Sequence, residues 1–149
     1  MSPPARFLGL DLGQKTIGLA LSDELGWTAQ PLTTLRRAGL VADLRALCQL
    51  IQEHGVTELV LGHPLCLNGT AGPAARAAEE FAAALREATG LPVHLWDERL
   101  STVAAERVLL EAGLSRRRRH QVIDRAAAAF ILQGFLDGRA RPQREQEDA

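Results

Sequence analysis

Phe7-Leu8-Gly9-Leu10-Asp11-Leu12-Gly13-Gln14-Lys15-Thr16-Ile17-Gly18-Leu19-Ala20-Leu21 is the stretch on which the fold turns. Its first half is a buried-strand pattern in which Gly9 and Asp11 interrupt the leucines. Gly13-Gln14-Lys15 reads as a tight turn, and Ile17 to Leu21 as a second strand that ends at Ser22-Asp23-Glu24. Two strands joined by a short turn make a hairpin. A third strand is expected within residues 28–35, which gives a three-stranded antiparallel meander.

Beyond the meander the apolar period changes. Val41, Leu44, Leu47, Cys48 and Ile51 mark one face of a helix, and Gly55 stops it. Leu59-Val60-Leu61 is a short continuous apolar run, as expected of a strand covered on both faces. A loop follows from Gly62 through Pro64 to Asn68-Gly69. Residues 74–88 are alanine-rich and helical, ending before Gly90, and residues 93–96 form a further strand. Ser101 caps a predicted helix to Glu111, and a last helix is predicted from about 121 to 136. The order is β-β-β-α-β-α-β-α-α. Two βα units follow the meander, and right-handed crossovers set their strands parallel to the first. The expectation is an α/β fold: a five-stranded mixed sheet with helices on both faces. Residues 1–138 read as one domain. The polar tail, 139–149, is expected to be disordered.

Composition bounds the function. At 149 residues the chain has room for one domain. Its net charge of −1 gives no global attraction to nucleic acid. The basic residues are clustered instead, most densely in Arg116-Arg117-Arg118-Arg119-His120, which reads either as a solvated loop or as a phosphate-binding patch. The only cysteines, Cys48 and Cys66, form no CxxC pair, so a zinc site is not expected. Cys48 reads as a core residue and Cys66 as a loop residue. Sparse cysteine suits a reducing cytoplasm. The N-terminal residues read as neither a secretory signal nor an anchor, and no apolar run is long enough to span a membrane.

Three acidic positions carry the chemistry. Asp11 closes the first strand. Leu10 and Leu12 should point away from it, and a carboxylate beside a core strand is costly unless paired or metal-bound. Taken alone, it reads equally as a turn former ahead of glycine. Asp97-Glu98 closes the last strand, and by alternation only one of the two enters the same site as Asp11. Asp124 lies near the start of a helix that is apolar or small nearly all round, where Ala126 to Ala129 allow close approach to the sheet. One economical joint reading is that the three converge at one end of the sheet and hold Mg²⁺ or Mn²⁺.

Four motifs in register resemble the YqgF/RuvX family. They are Leu10-Asp11-Leu12-Gly13-Gln14-Lys15-Thr16-Ile17-Gly18; Gly62-His63-Pro64-Leu65 with Asn68-Gly69-Thr70; Asp97-Glu98-Arg99-Leu100-Ser101-Thr102; and Asp124-Arg125-Ala126-Ala127. The resemblance spans about Arg6 to Leu136. It implies an RNase H-like fold, similar to the Holliday-junction resolvase RuvC, and a metal-dependent endonuclease. It links the chain to maturation of the 5′ end of pre-16S rRNA, with branched-DNA resolution as the alternative. By position it implies Asp11, Glu98 and Asp124 as catalytic metal ligands, with Asp97 still open beside Glu98. The sequence departs from the wider superfamily in two places. Gly62-His63 stands where RuvC-like enzymes take an acid from the fourth strand. Ala127 and Ala128 stand where a second acid often follows on the last helix.

Lys15, Arg99, Arg116, Arg117, Arg118 and Arg119 are expected to touch phosphates. Such contacts position a nucleic acid without reading its sequence. The expected partner is a structured RNA precursor or branched DNA, and a homodimer would let the enzyme cut two strands symmetrically. Two other classes compete. A non-catalytic nucleic-acid-binding or ribosome-assembly module would explain the missing acids. A nucleotide-binding module shares the strand-Asp-turn-strand opening, but it needs two such domains to close around ATP.

Overall fold

Alternation along the strands sorts the apolar side chains into two cores, one on each side of a single sheet. The computed structural model describes residues 5–66, 68–98 and 126–139. Within them the chain forms β1 (Phe7–Leu12), β2 (Thr16–Ser22), β3 (Ala29–Arg36), α1 (Leu40–His54), β4 (Glu58–His63), α2 (Pro73–Thr89) and β5 (Val93–Asp97). A helical segment covers 126–139. The strands lie in the order β3-β2-β1-β4-β5. β1, β2 and β3 pair antiparallel, as the meander predicts. β4 pairs parallel to β1, and β5 parallel to β4.

Leu8 and Leu10 of β1, Ile17 and Leu19 of β2, and Leu59 and Leu61 of β4 point to one face. There they meet Leu47 and Ile51 of α1 and Phe81 and Leu85 of α2. Phe7, Ala20 and Val60 point to the other face and meet Ala127, Ala128, Ile131 and Leu132 of the helical segment. Helices thus cover both faces of a mixed sheet. Each fully buried leucine or isoleucine contributes roughly 1.5–3 kcal/mol of transfer free energy.

The helical segment approaches β1 closely. A Cβ on Gly9 would stand 2.7 Å from Leu132 Cβ and 3.0 Å from the Ala128 carbonyl oxygen. Only glycine leaves that room. Gln133 ties the same segment to the edge strand. Its Oε1 accepts from Ala29 N at 2.9 Å, and its Nε2 donates to Trp27 O at 3.0 Å.

The helices α1 and α2 end where the sequence predicts, at Gly55 and Gly90. The helical segment runs through Arg139, one residue into the stretch expected as a tail. The Arg139 guanidinium lies 4.9 Å from the Phe7 ring centroid and 4.0 Å from Glu58 Oε2. Cys48 is half-buried rather than a core residue, because it sits at the flank of the α1 stripe; Cys66 is exposed. The predicted helix over 101–111 and residues 140–149 of the expected tail lie outside the described residues. Among the described residues no helix is long and apolar enough to cross a membrane.

Candidate active site

Asp11 stands one residue from the end of β1, opposite Gly18 of β2, and is half-buried. Leu10 and Leu12 pack into the α1/α2 core, so the intervening Asp11 turns to the other face. That is the face on which Phe7 and Gly9 meet the helical segment. The parallel pairing of β1 with β4 ends at Leu10↔Leu61, so Gly62 is the next residue on β4 beside Asp11. Gly62 in turn pairs with Trp96 of β5. The three neighbours share a level and a face.

Glu98 follows β5 by one residue. Its Oε1 lies 2.8 Å, and its Cδ 3.3 Å, from the position a Cβ on Gly62 would take. Ile131 Cδ1 reaches the same point at 2.7 Å. The Glu98 carboxylate therefore leans off its own strand and over β4. It stands about one strand spacing, roughly 4.8 Å, from the line of β1. The two carboxylates thus share one face at the end of the sheet, and Gly62, on the strand beside β1, has no side chain there. Both are half-buried and both have interaction partners in the structure.

Asp97 and Glu98 part as alternation requires. Asp97 pairs in register with His63 and shares its face, which is the α1/α2 side. His63 Nε2 lies 3.5 Å from Glu79 Oε1 on α2. It is directed to that helix and away from the Asp11–Glu98 face. That is the arrangement of a residue shaping the loop after β4. In this loop Cys66 N donates to Thr70 O at 3.0 Å, and Asn68 Oδ1 accepts from Thr70 Oγ1 at 2.7 Å.

Lys15 is exposed in the β1–β2 turn, three residues past the end of β1. The turn is held from outside. Arg37 N donates to Lys15 O at 2.8 Å, and Arg37 Nη1 to Gly13 O at 3.0 Å. Arg37 Nε lies 3.2 Å from Asp43 Oδ2. Asp43 is 4% exposed, and its Oδ1 also accepts from Ala38 N at 2.9 Å.

Asp124, Arg99, Arg116, Arg117, Arg118 and Arg119 lie outside the described residues. Among the described residues no three His, Cys, Asp or Glu side chains are grouped to hold a metal. The described portion supplies two carboxylates, Asp11 and Glu98, and its oxygen donors suit a hard divalent cation. The helical segment runs antiparallel to β1. Ala128 and Leu132 lie over Gly9, and Phe135 lies 5.8 Å from Phe7 between ring centroids. Its N-terminal end therefore faces the end of the sheet that carries Asp11 and Glu98.

Sequence reasoning missed two features. One is the room that Gly62 leaves for Glu98; a glycine inside a strand pattern is its only trace. The other is the Arg37–Asp43 pair behind the turn, for which the spacing alone carries no signal.

Residues 5–138 match the family model RuvX, described as Holliday junction resolvase. A relative from Moorella thermoacetica, named as a candidate pre-16S rRNA nuclease, is 64% identical over 132 residues, covering 89% of this chain and 94% of that one. A relative of the same name from Myxococcus xanthus is 58% identical over 137 residues, covering 92% and 91%. Among solved structures, Thermus thermophilus RuvC in complex with a Holliday junction substrate superposes with a TM-score of 0.58 at 13% identity, covering 91% of this chain and 96% of that one. That likeness is one of fold, and the fold is the RNase H-like α/β one expected from the sequence.

Proposed function

The chain belongs to the RuvX family and is a nuclease, and we propose that it is a metal-dependent endonuclease acting on a structured RNA precursor, at the 5′ end of pre-16S rRNA. The observation that carries this reading is that Asp11 and Glu98 share one face at the end of the sheet, with a side-chain-free Gly62 on the strand beside β1. The names of the relatives from Moorella thermoacetica and Myxococcus xanthus support the substrate.

In this reading Asp11, Glu98 and Asp124 hold Mg²⁺ or Mn²⁺. Oxygen-only donors and a half-buried, water-accessible position suit either ion. Such a cation supplies charge stabilisation at the phosphodiester and a more acidic attacking water. Asp11, on β1, and Glu98, one residue past β5, would hold it from the end of the sheet. Lys15, Arg99 and Arg116 to Arg119 hold backbone phosphates around the cleaved bond. Residues 1–138 act as one nuclease domain, in a cytoplasmic setting that suits two free cysteines.

The family description favours a second substrate, the four-way DNA junction. A panel with Mg²⁺ and Mn²⁺ compares a 5′-extended 16S leader RNA, an unstructured RNA and a four-way DNA junction. Cleavage of the leader, lost in Asp11→Asn, is the expected result. Cleavage of the junction alone would move the substrate to DNA. Equal cleavage by wild type and a folded Asp11→Asn would end the assignment of the site. Binding without cleavage of any substrate would favour a ribosome-assembly module.

A further inference from the structure

We propose that Arg36, at the far end of β3, is a phosphate-binding residue of the substrate path, so that the nucleic-acid backbone runs across the strands from Glu98 over Asp11 and Thr16 to Arg36. The proposal rests on the nuclease reading above and extends it to a residue that neither the motifs nor the arginine cluster picks out.

Face and register carry the argument. Arg36 pairs with Thr16, and Leu35 with Ile17. Directly opposed residues of an antiparallel pair share a face. Ile17 and Leu35 pack into the α1/α2 core. Thr16 and Arg36 therefore point to the opposite side, the side of Asp11 and Glu98. The neighbouring arginine gives an independent check. Arg37 lies 3.2 Å from Asp43 of α1 and 5.7 Å from the Phe81 ring of α2, so consecutive arginines split between the two faces.

Arg36 is exposed, and no ion pair or side-chain hydrogen bond engages it among the described residues. Arg37 braces the turn and α1, whereas Arg36 makes no such contact among the described residues. β3 lies two strands from β1. That is roughly 10 Å across the sheet, or about three stacked nucleotides at 3.4 Å each. Thr16 lies between them on the same face, at the end of β2. The ligand chemistry is a phosphodiester backbone, of RNA or DNA.

The test uses the full chain in metal-free buffer, so that binding is read without cleavage. Fluorescence anisotropy follows a labelled single-stranded RNA, and separately a labelled four-way DNA junction, between about 50 and 200 mM KCl. Arg36→Gln is compared with wild type, with Arg36→Lys and with Arg45→Gln. Arg45 is exposed on α1, on the opposite face, and gives the same change in net charge. Arg36→Gln is expected to weaken binding several-fold and to flatten the plot of log affinity against log salt by about 0.7 for RNA or 0.9 for duplex DNA. Arg36→Lys should keep the wild-type slope, and Arg45→Gln should change neither quantity. A flattened slope on one probe only assigns the path to that nucleic acid and supports it. Identical behaviour of Arg36→Gln and Arg45→Gln on both probes overturns it. Wild-type binding that depends on Arg36, with no cleavage in any metal, would uphold the path and sink the nuclease reading instead.

Discussion

Glu98 rests its carboxylate where the side chain of residue 62 would be: Oε1 is 2.8 Å from the place of a Cβ on Gly62. β4 yields its side-chain position at the end of the sheet to an acid from the next strand. The carboxylate that fills the place comes from the residue just after β5.

Gly62→Ala should therefore damage function more than folding. The methyl group meets the ends of two flexible side chains, Glu98 and Ile131, which can move aside. The stability cost should stay near 1 kcal/mol, the low end for overpacking. Displacing Glu98 by about 1 Å should lower kcat roughly a hundredfold. Urea unfolding and metal-dependent cleavage, measured on the same preparation, check the pair of numbers.

Gly9→Ala should do the reverse. Its Cβ would meet Leu132 Cβ at 2.7 Å and the Ala128 carbonyl at 3.0 Å, neither of which moves without the helix. The expected loss is about 1–3 kcal/mol, seen as a lower urea midpoint. A midpoint equal to wild type would show that the helix yields freely.

Glu98→Gln and Asp97→Asn should separate cleanly. Glu98 lies on the Asp11 face and Asp97 on the His63 face. Cleavage should fall about 10–100-fold in Glu98→Gln, as is typical when a metal site is weakened. Asp97→Asn and His63→Gln should retain metal-dependent cleavage. Loss of metal binding in His63→Gln would place the histidine in the site after all.

Asp43→Asn should cost about 1–3 kcal/mol. The carboxylate is 4% exposed and accepts from Arg37 and from Ala38 N. The amide keeps the shape but gives up the charge that holds Arg37, and with it the brace on the Gly13 turn. Chemical denaturation measures the loss. A change under about 0.5 kcal/mol would mean that the pair behaves like an exposed one.

Much of this was legible in residues. The leucines flanking Asp11 set the face of that carboxylate, because strand alternation has a period of two. The hairpin, both βα units and the helix ends at Gly55 and Gly90 followed from the same kind of local pattern. The choice between Asp97 and Glu98 did not. Alternation says that adjacent acids diverge, but only the registers of β4 with β1 and β5 say which one faces Asp11. Arg36 was hidden for the same reason. Its face depends on pairing with Thr16 beyond the register shift at Leu19 and Ala20, and no local rule forecasts that shift.

The account turns on whether Asp11 and Glu98 hold one cation together. Titration of Mn²⁺ into the folded protein, followed by the loss of the free-ion electron paramagnetic resonance signal, tests this directly. Wild type should take up Mn²⁺. Asp11→Asn and Glu98→Gln should each bind it at least tenfold more weakly, as mutation around metal sites typically does, while Asp97→Asn binds it like wild type. Equal Mn²⁺ affinity in wild type, Asp11→Asn and Glu98→Gln would contradict the shared site.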